Sequence, residues 1–403
     1  MNRLTLQRNV QFLYEEQLAR VELISLGCDR LKRDVDNPWV LDAHVNGSTA
    51  GVLSRAAYVG SVDGAESVYS RMIRPNYQGG AFNRTRSVNQ YLTHWIYPYR
   101  GKFHPQMVRA LFNILGVGPG SLVFEPFLGS GTAALEASLL GANVVGVDLS
   151  PLCAMLARVK TQSVQALPRI RERVADLLNN AKVQLDRDNW TEDENPTVAE
   201  FLQVARMVTL SDVARRSRTG DVYLRKNLLA MLESVEAHAS AIREFGIKPG
   251  KVVARVGDCR NLKGAGVKPG TVDAIVTSPP YSIALDYVKN DEHALDALGV
   301  DTKELRATMT GVRGKGARQK LALYNDDMKA MFVEVARILK PGARAAFVVG
   351  DATVDGSEYS TTSDMIGWAA SAGLDLERTL PKIVYGLYNV MTDEKILIFK
   401  RPS

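Results

Sequence analysis

The chain has 403 residues, 46% hydrophobic, 23% charged and 7% aromatic, with a formal net charge of +6. Wholesale disorder, collagen and a disulfide scaffold are excluded, leaving two or three folded units or one large core with insertions. Cys28, Cys153 and Cys259 form no CxxC pair and have no histidine cluster nearby, so neither a disulfide nor a metal site is expected and all three read as small core residues. No apolar run approaches the roughly 20 residues of a spanning helix, and the opening Met1-Asn-Arg-Leu-Thr-Leu-Gln-Arg lacks the order of a secretion signal; no membrane association is expected and the cytoplasm is the default location.

Near the start, Val10, Leu13, Leu18, Val21 and Ile24 recur at three- to five-residue steps and predict a helix, followed by a mixed, Gly-rich stretch without a motif. From Ser67 to Phe124 there is no acidic residue, and Arg71, Arg74, Arg84, Arg86, Arg100, Lys102 and Arg109 alternate with Tyr69, Tyr77, Phe82, Tyr91, Trp95, Tyr97 and Tyr99. Cations neutralise phosphates and flat rings stack on bases, so the stretch suits a nucleic-acid groove; the plainer reading is a solvated basic face over core aromatics. Pro105 to Leu115 reads as a helix opened by proline at its first position.

A regular alternation follows. Ser121–Glu125 and Asn143–Asp148 read as strands on either side of an apolar helix, Thr132–Leu140. Between Lys160 and Lys251 the rhythm breaks for about 90 residues; Leu228, Leu232, Val235, Ala239, Ile242 and Phe245 repeat on one face, which indicates a packed helical insertion. Val272–Thr277 is a further strand. A second acid-free stretch, Leu305–Tyr324, carries Arg306, Arg313, Lys315, Arg318 and Lys320. A helix over Asp326–Leu339, a strand over Ala343–Gly350 and two late strands around Lys382–Tyr385 and Lys395–Lys400 complete the series. Apolar strands separated by helices predict an α/β fold with a mostly parallel sheet covered on both faces.

Two constellations carry chemistry. Phe124-Glu-Pro-Phe-Leu-Gly-Ser-Gly-Thr132 runs from a strand through a Gly-x-Gly loop into a helix whose first N–H groups are free. Such a loop holds either a dinucleotide pyrophosphate or the amino-acid end of S-adenosylmethionine, and Asp148, 23 residues after Glu125, is placed to accept from two ribose hydroxyls of either ligand. Directly after a buried strand comes Ser278-Pro279-Pro280-Tyr281. Two prolines cannot continue a ladder and each fixes its φ, so the carbonyls there are rigidly aimed and suited to accept from an amino group, while Tyr281 offers a face for a planar base.

This pairing resembles the amino-methyltransferases that act on exocyclic nitrogens of DNA bases, and in Ser-Pro-Pro-Tyr the cytosine-N4 group. The resemblance covers about residues 95–160 and 250–350. It implies a Rossmann-like class I methyltransferase sheet and S-adenosylmethionine as cofactor. By the same resemblance Glu125, Pro126, Phe127, Gly129, Gly131 and Thr132 form the cofactor loop, where the family more often has Asp at the position of Glu125. Asp148 would bind the ribose and Asp258 the adenine amino group with Cys259 beside it, and Lys102-Phe-His104-Pro105 would complete the methionine pocket. Ser278, Pro279, Pro280 and Tyr281 would be catalytic: Ser278 and the Pro279 carbonyl draw the target amine towards a tetrahedral form, and Tyr281 stacks on a base flipped out of the duplex. None of the three cysteines follows a proline, which disfavours a carbon-5 mechanism.

The expected partner is DNA, with a cognate restriction endonuclease in a defence setting. Arg84, Arg86, Arg100, Arg313, Lys315, Arg318 and Lys320 are the candidate nucleic-acid contacts. Residues 1–95 read as an N-terminal region, 96–160 and 250–403 as the methyltransferase core and 161–249 as a helical insertion, the first and last being candidates for target recognition. Asp286-Tyr287 either lines the base pocket or starts a helix. Adenine-N6 in DNA and guanine-N2 in transfer RNA remain the alternative targets, since both groups share the two prolines and the aromatic.

Overall fold

The computed structural model describes residues 1–73, 88–179, 185, 189–280, 285–354, 357–385 and 391–403. Residues 2–66 build a five-stranded sheet in the order β2-β3-β1-β4-β5, from β1 (Asn2–Leu6), β2 (Cys28–Arg33), β3 (Val40–Val45), β4 (Val59–Val62) and β5 (Ala65–Glu66), with antiparallel pairing throughout. The sequence signalled only a helix here, because these strands are short and β2 reads almost wholly polar. That helix exists, Leu13–Ser25, but its inner face differs from the expected stripe: Tyr14, Leu18 and Leu23 are buried, whereas Leu13 and Ile24 are exposed. Glu22 lies fully buried on the same face, its Oε1 accepting from Ala57 N at 2.8 Å and from Asn113 Nδ2 at 2.7 Å. Through these bonds it joins the helix to the chain before β4 and to the helix Pro105–Ile114.

The main sheet has seven strands in the order β13-β14-β10-β9-β6-β7-β8. They are β6 (Leu122–Glu125), β7 (Asn143–Asp148), β8 (Val252–Val256), β9 (Val272–Thr277), β10 (Leu339–Gly350), β13 (Asp375–Tyr385) and β14 (Met391–Lys400); β11 (Ala352–Val354) and β12 (Ser357–Tyr359) form a separate hairpin. The pairs from β8 through β7, β6 and β9 to β10 are parallel, and only β14 runs the opposite way, between β10 and β13. The α/β class and the two edge strands therefore match expectation. β8 was missed, an edge strand whose Arg255 and Val256 are exposed and whose apolar run is too brief to register.

Alternation along the central strands divides the core in two. Val123, Ala274, Val276, Ala346 and Val348 pack with the N-terminal sheet and the helix Pro105–Ile114 on one face. Phe124, Ile275, Phe347 and Val349 pack under the helices Gly316–Ile338 and Thr361–Ser371 on the other. Removing apolar surface from water on both faces is the main force holding such a sheet. The chain between β7 and β8 supplies the helices Pro151–Gln162, Leu167–Asn179, Pro196–Arg216 and Gly220–Glu244, with a third core of their own built on Leu202, Val208, Leu228 and Val235.

Much of the acid-free stretch 67–124 is interior. Tyr69, Tyr91 and Tyr97 are buried, Arg109 is 2% exposed against Glu136, and Arg71 pairs with Glu244. For these residues the plainer reading of core aromatics and structural cations is the right one, because a ring in a basic run packs inward wherever a helix gives it a face. Arg100 is exposed; Arg74, Tyr77, Phe82, Arg84 and Arg86 lie outside the described residues. In the second stretch the helix begins at Gly316 rather than Asp326 and takes in Arg318 and Lys320. No described helix is long and apolar enough to cross a membrane.

Candidate active site

The strand order turns at β6. From there the chain moves outward to β7 and β8, then returns to β9 on the other side, so the carboxyl ends of β6 and β9 flank the crevice where ligands of such sheets bind. Glu125 ends β6 and Thr277 ends β9, and the Thr277 hydroxyl donates to Glu125 Oε1, which also accepts from Phe127 N at 3.1 Å. Burial pushes the Glu125 carboxyl up to about 8, despite these two donors, which favour the carboxylate.

The loop after β6 has the geometry its glycines suggest. Gly129 lies at φ +47° and Gly131 at φ +77°; a Cβ on Gly131 would sit 2.7 Å from Ala157 Cα, so the loop is pressed against the helix Pro151–Gln162. Asp148 Oδ2 accepts from Gly129 N and Oδ1 from Ser150 N, each at 2.9 Å, so the strand-end carboxylate holds the loop. Burial raises its pKa. The Lys160 amine, fully buried, donates to Ser130 O at 2.7 Å and His94 O at 3.3 Å, and Lys102 donates to Asn89 O and to the same His94 carbonyl. Burial depresses both lysines, Lys102 to about 7. No spacing pattern announces Lys160; a lone lysine in a helix normally reads as solvated.

These elements enclose a cleft of about 940 Å³, its open mouth included. Glu125, Pro126, Phe127, Gly129, Ser130, Thr132 and Asp148 line one side; Gly257, Cys259, Ser278 and Pro280 line another, with Tyr99, Tyr287 and Asp291 towards the helical insertion. Tyr99 and Tyr287 stack with centroids 6.1 Å apart, and Asp286 caps the short helix Tyr287–Asn290, so the dipeptide starts a helix and its Tyr287 lines the cleft. Ser278 Oγ lies 3.2 Å from Val348 O, to which it donates. Tyr281 lies outside the described residues.

Several candidates sit differently from expectation. Phe103 and Gly101 line the cleft, whereas His104 caps the helix Pro105–Ile114 and is not among the lining residues. The Asp258 carboxylate is held by Arg260, whose Nη2 is 2.6 Å away, and Arg260 also reaches Asp327 at 2.8 Å. Arg313 closes on the same Asp327, so its guanidinium serves an internal network. Lys315 and Arg318 are exposed and Lys320 is half-buried.

The cradle fits an adenosine-bearing ligand with a cationic amino-acid end. Asp148 keeps lone pairs for hydroxyls, Phe127, Leu149 and Cys259 offer apolar walls, and Glu125 is a carboxyl poised to ionise against a cation. One consequence concerns stability. The folded state holds the Glu125 proton to about 8, whereas an unfolded Glu releases it near 4.5, so this group's contribution is complete below 4.5 and is lost as pH rises through 8. The fall in urea midpoint between pH 5 and pH 8.5 is expected to be smaller in Glu125→Gln than in the parent chain; an identical fall would contradict the assignment.

Comparison with known proteins agrees with this geometry. Residues 96–211 match the family UPF0020, described as RMKL-like, methyltransferase domain. The Type II methyltransferase M.MjaII of Methanocaldococcus jannaschii is 36% identical over 93 residues, 22% of this chain and 16% of the relative. The Type II methyltransferase M.BsoBI of Geobacillus stearothermophilus is 22% identical over 282 residues, 54% of this chain and 55% of the relative. A tRNA (guanine(10)-N2)-dimethyltransferase of Methanothermobacter thermautotrophicus is 29% identical over 119 residues, 30% of this chain and 29% of the relative. The chain thus spans about half, or less, of the curated relatives it matches. The matched segment contains the glycine loop and Asp148, which agrees with S-adenosylmethionine as the cofactor.

Proposed function

We propose that the chain methylates the exocyclic N4 of cytosine in DNA, on a base turned out of the duplex. The observation that carries this reading is the position of Ser278 and Pro280 at the carboxyl end of β9, lining the same cleft as the glycine loop and Asp148. Bound in the loop, S-adenosylmethionine supplies an electrophilic methyl group. Glu125 and Asp148 would hold its amino-acid and ribose ends.

Ser278 spends its hydroxyl hydrogen on Val348 O, so the lone pairs that remain on Oγ can accept from an amine in the cleft. The Pro279 carbonyl, at a residue with no N–H and a fixed φ, supplies a second acceptor. Two acceptors on one amino group pull its nitrogen lone pair out of conjugation with the ring, which makes it a nucleophile without a metal or a covalent intermediate. Tyr281 would stack on the base. The choice of base rests on the resemblance: the adenine-N6 enzymes usually carry Asp or Asn where this chain has Ser278, so the serine favours cytosine. Two relatives named Type II methyltransferases favour DNA as the substrate; a restriction-modification setting with a cognate endonuclease is part of the same proposal.

Incubation with methyl-labelled cofactor and separate DNA and RNA pools, followed by digestion to nucleosides, tests the reading. Label in N4-methylcytidine of DNA is expected. Label only in N6-methyladenosine would move the target to adenine, and label only in N2-methylguanosine of RNA would favour the activity named for the transfer-RNA relative. Ser278→Ala removes one acceptor of a neutral amine, for which a loss of about tenfold in kcat is expected with cofactor affinity unchanged.

A further inference from the structure

A second cavity adjoins the first. It encloses about 1250 Å³, its open mouth included, between the segment 89–102 and the helices Pro196–Arg216 and Gly220–Glu244. Tyr99 lines both cavities. None of the cations that line it was among the candidate nucleic-acid contacts read from the sequence.

Its lining combines exposed cations with aromatic rings. Arg216, Arg218 and Lys226 are exposed at the cavity, and Trp95 and Tyr223 contribute rings. The Arg218 guanidinium lies 4.9 Å and the Lys226 ammonium 5.4 Å from the Tyr223 ring centroid, which holds both charges at the recess instead of leaving them to wander in solvent. Trp95 is fixed by its indole N–H on Ser234. One carboxylate, Asp212, is in the lining, and it is already taken by Arg216 Nη1 at 2.9 Å and Asn227 Nδ2 at 3.1 Å. Lys102, the remaining lining cation, is turned inward to backbone carbonyls. With Arg216 balanced by Asp212, Arg218 and Lys226 leave the recess positive, and its rings match the flat faces of bases.

Resting on the nucleic-acid methyltransferase reading above, we propose that this cavity binds the single strand flanking the target base, with its phosphates on Arg216, Arg218 and Lys226 and a base against the Trp95 and Tyr223 walls. The strand then passes Tyr99 to reach the cofactor cleft. Stacking on rings and phosphate neutralisation together are how single strands are held without sequence readout. An apolar ligand would leave the three cations unused, and a small anion would leave the rings unused.

The test measures binding of the full chain to a fluorescein-labelled, cytosine-containing single-stranded DNA, and to RNA of the same sequence, by anisotropy across a salt series. Each phosphate contact to a single strand contributes about 0.7 to the slope of log affinity against log salt. Arg216→Gln/Arg218→Gln/Lys226→Gln is expected to make the slope shallower by about 2 and to weaken binding at least tenfold at low salt, with S-adenosylmethionine affinity unchanged. Arg216 also balances Asp212, so Arg218→Gln/Lys226→Gln serves as a second variant; its expected change is about 1.4. A slope equal to that of the parent chain on both strands overturns the proposal, even if labelled DNA cytosine has been found. Conversely, a shallower slope on RNA, with label only in RNA, retains the cavity and overturns the DNA assignment.

Discussion

Asp148→Ala is expected to weaken S-adenosylmethionine binding by roughly 100- to 10,000-fold, measured by calorimetry, while affinity for nucleic acid stays nearly constant. In the structure this carboxylate makes the loop's shape, its two oxygens accepting from Gly129 N and Ser150 N, and on the proposed reading it also takes the ribose hydroxyls. Two hydrogen bonds from ribose hydroxyls to a charged acceptor are each worth about 1.5–3 kcal/mol, and together they give the quoted range. Asp148→Asn keeps the size and one acceptor but gives up one of the two loop N–H bonds, so it is expected to fall between the parent and Ala. Equal cofactor affinity in Asp148→Ala would mean that the ligand lies elsewhere in the cleft.

Glu136→Ala is expected to lower unfolding stability by about 3–5 kcal/mol, read as a reduced urea midpoint with an unchanged slope. Glu136 lies on the helix Thr132–Leu139, directly behind the cofactor loop, and is fully buried. Its Oε1 accepts from the Tyr91 hydroxyl and is 2.7 Å from His94 Nε2, and its Oε2 is 3.3 Å from Arg109 Nη1. Burial holds His94 neutral, down to about 4; its hydrogen bond first, and then the Arg109 charge, keep the Glu136 carboxyl below its ordinary value despite burial. Removing the carboxylate leaves a guanidinium that is 2% exposed without its ion-pair partner, retaining the carbonyls of Arg55 and Ser54 and the Tyr69 ring 5.5 Å away. Glu136→Gln, which keeps the acceptor and loses the charge, is expected to cost less. A cost under 1 kcal/mol for Glu136→Ala would show that water reaches Arg109.

How far the molecule is legible in its sequence depends on the range of the interactions concerned. The strands β6, β7, β9 and β10 are readable because each is an apolar run closed by a polar residue or glycine, and the glycine loop because Gly129 and Gly131 need φ values that other residues resist. Strands with little apolar surface, β2 and β8, escape the same reading. So does the inward turn of Arg109: a basic residue between aromatics looks solvated until Glu136, 27 residues away, is found opposite it.

The sequence by itself determined the α/β class, the loop from Glu125 to Thr132 and the Ser278-Pro-Pro segment, since each depends on backbone conformations and periodicities set by near neighbours. Tertiary structure alone decided which cations are free. Arg71, Arg109 and Arg313 are bound to acids distant in the chain, while Arg218 and Lys226, set against the Tyr223 ring, gather at one recess beside the Arg216–Asp212 pair. The physical reason is that a net charge of +6 is a sum over the chain, whereas a binding field depends on which charges lack a near partner of opposite sign. That pairing is settled only when the helices pack.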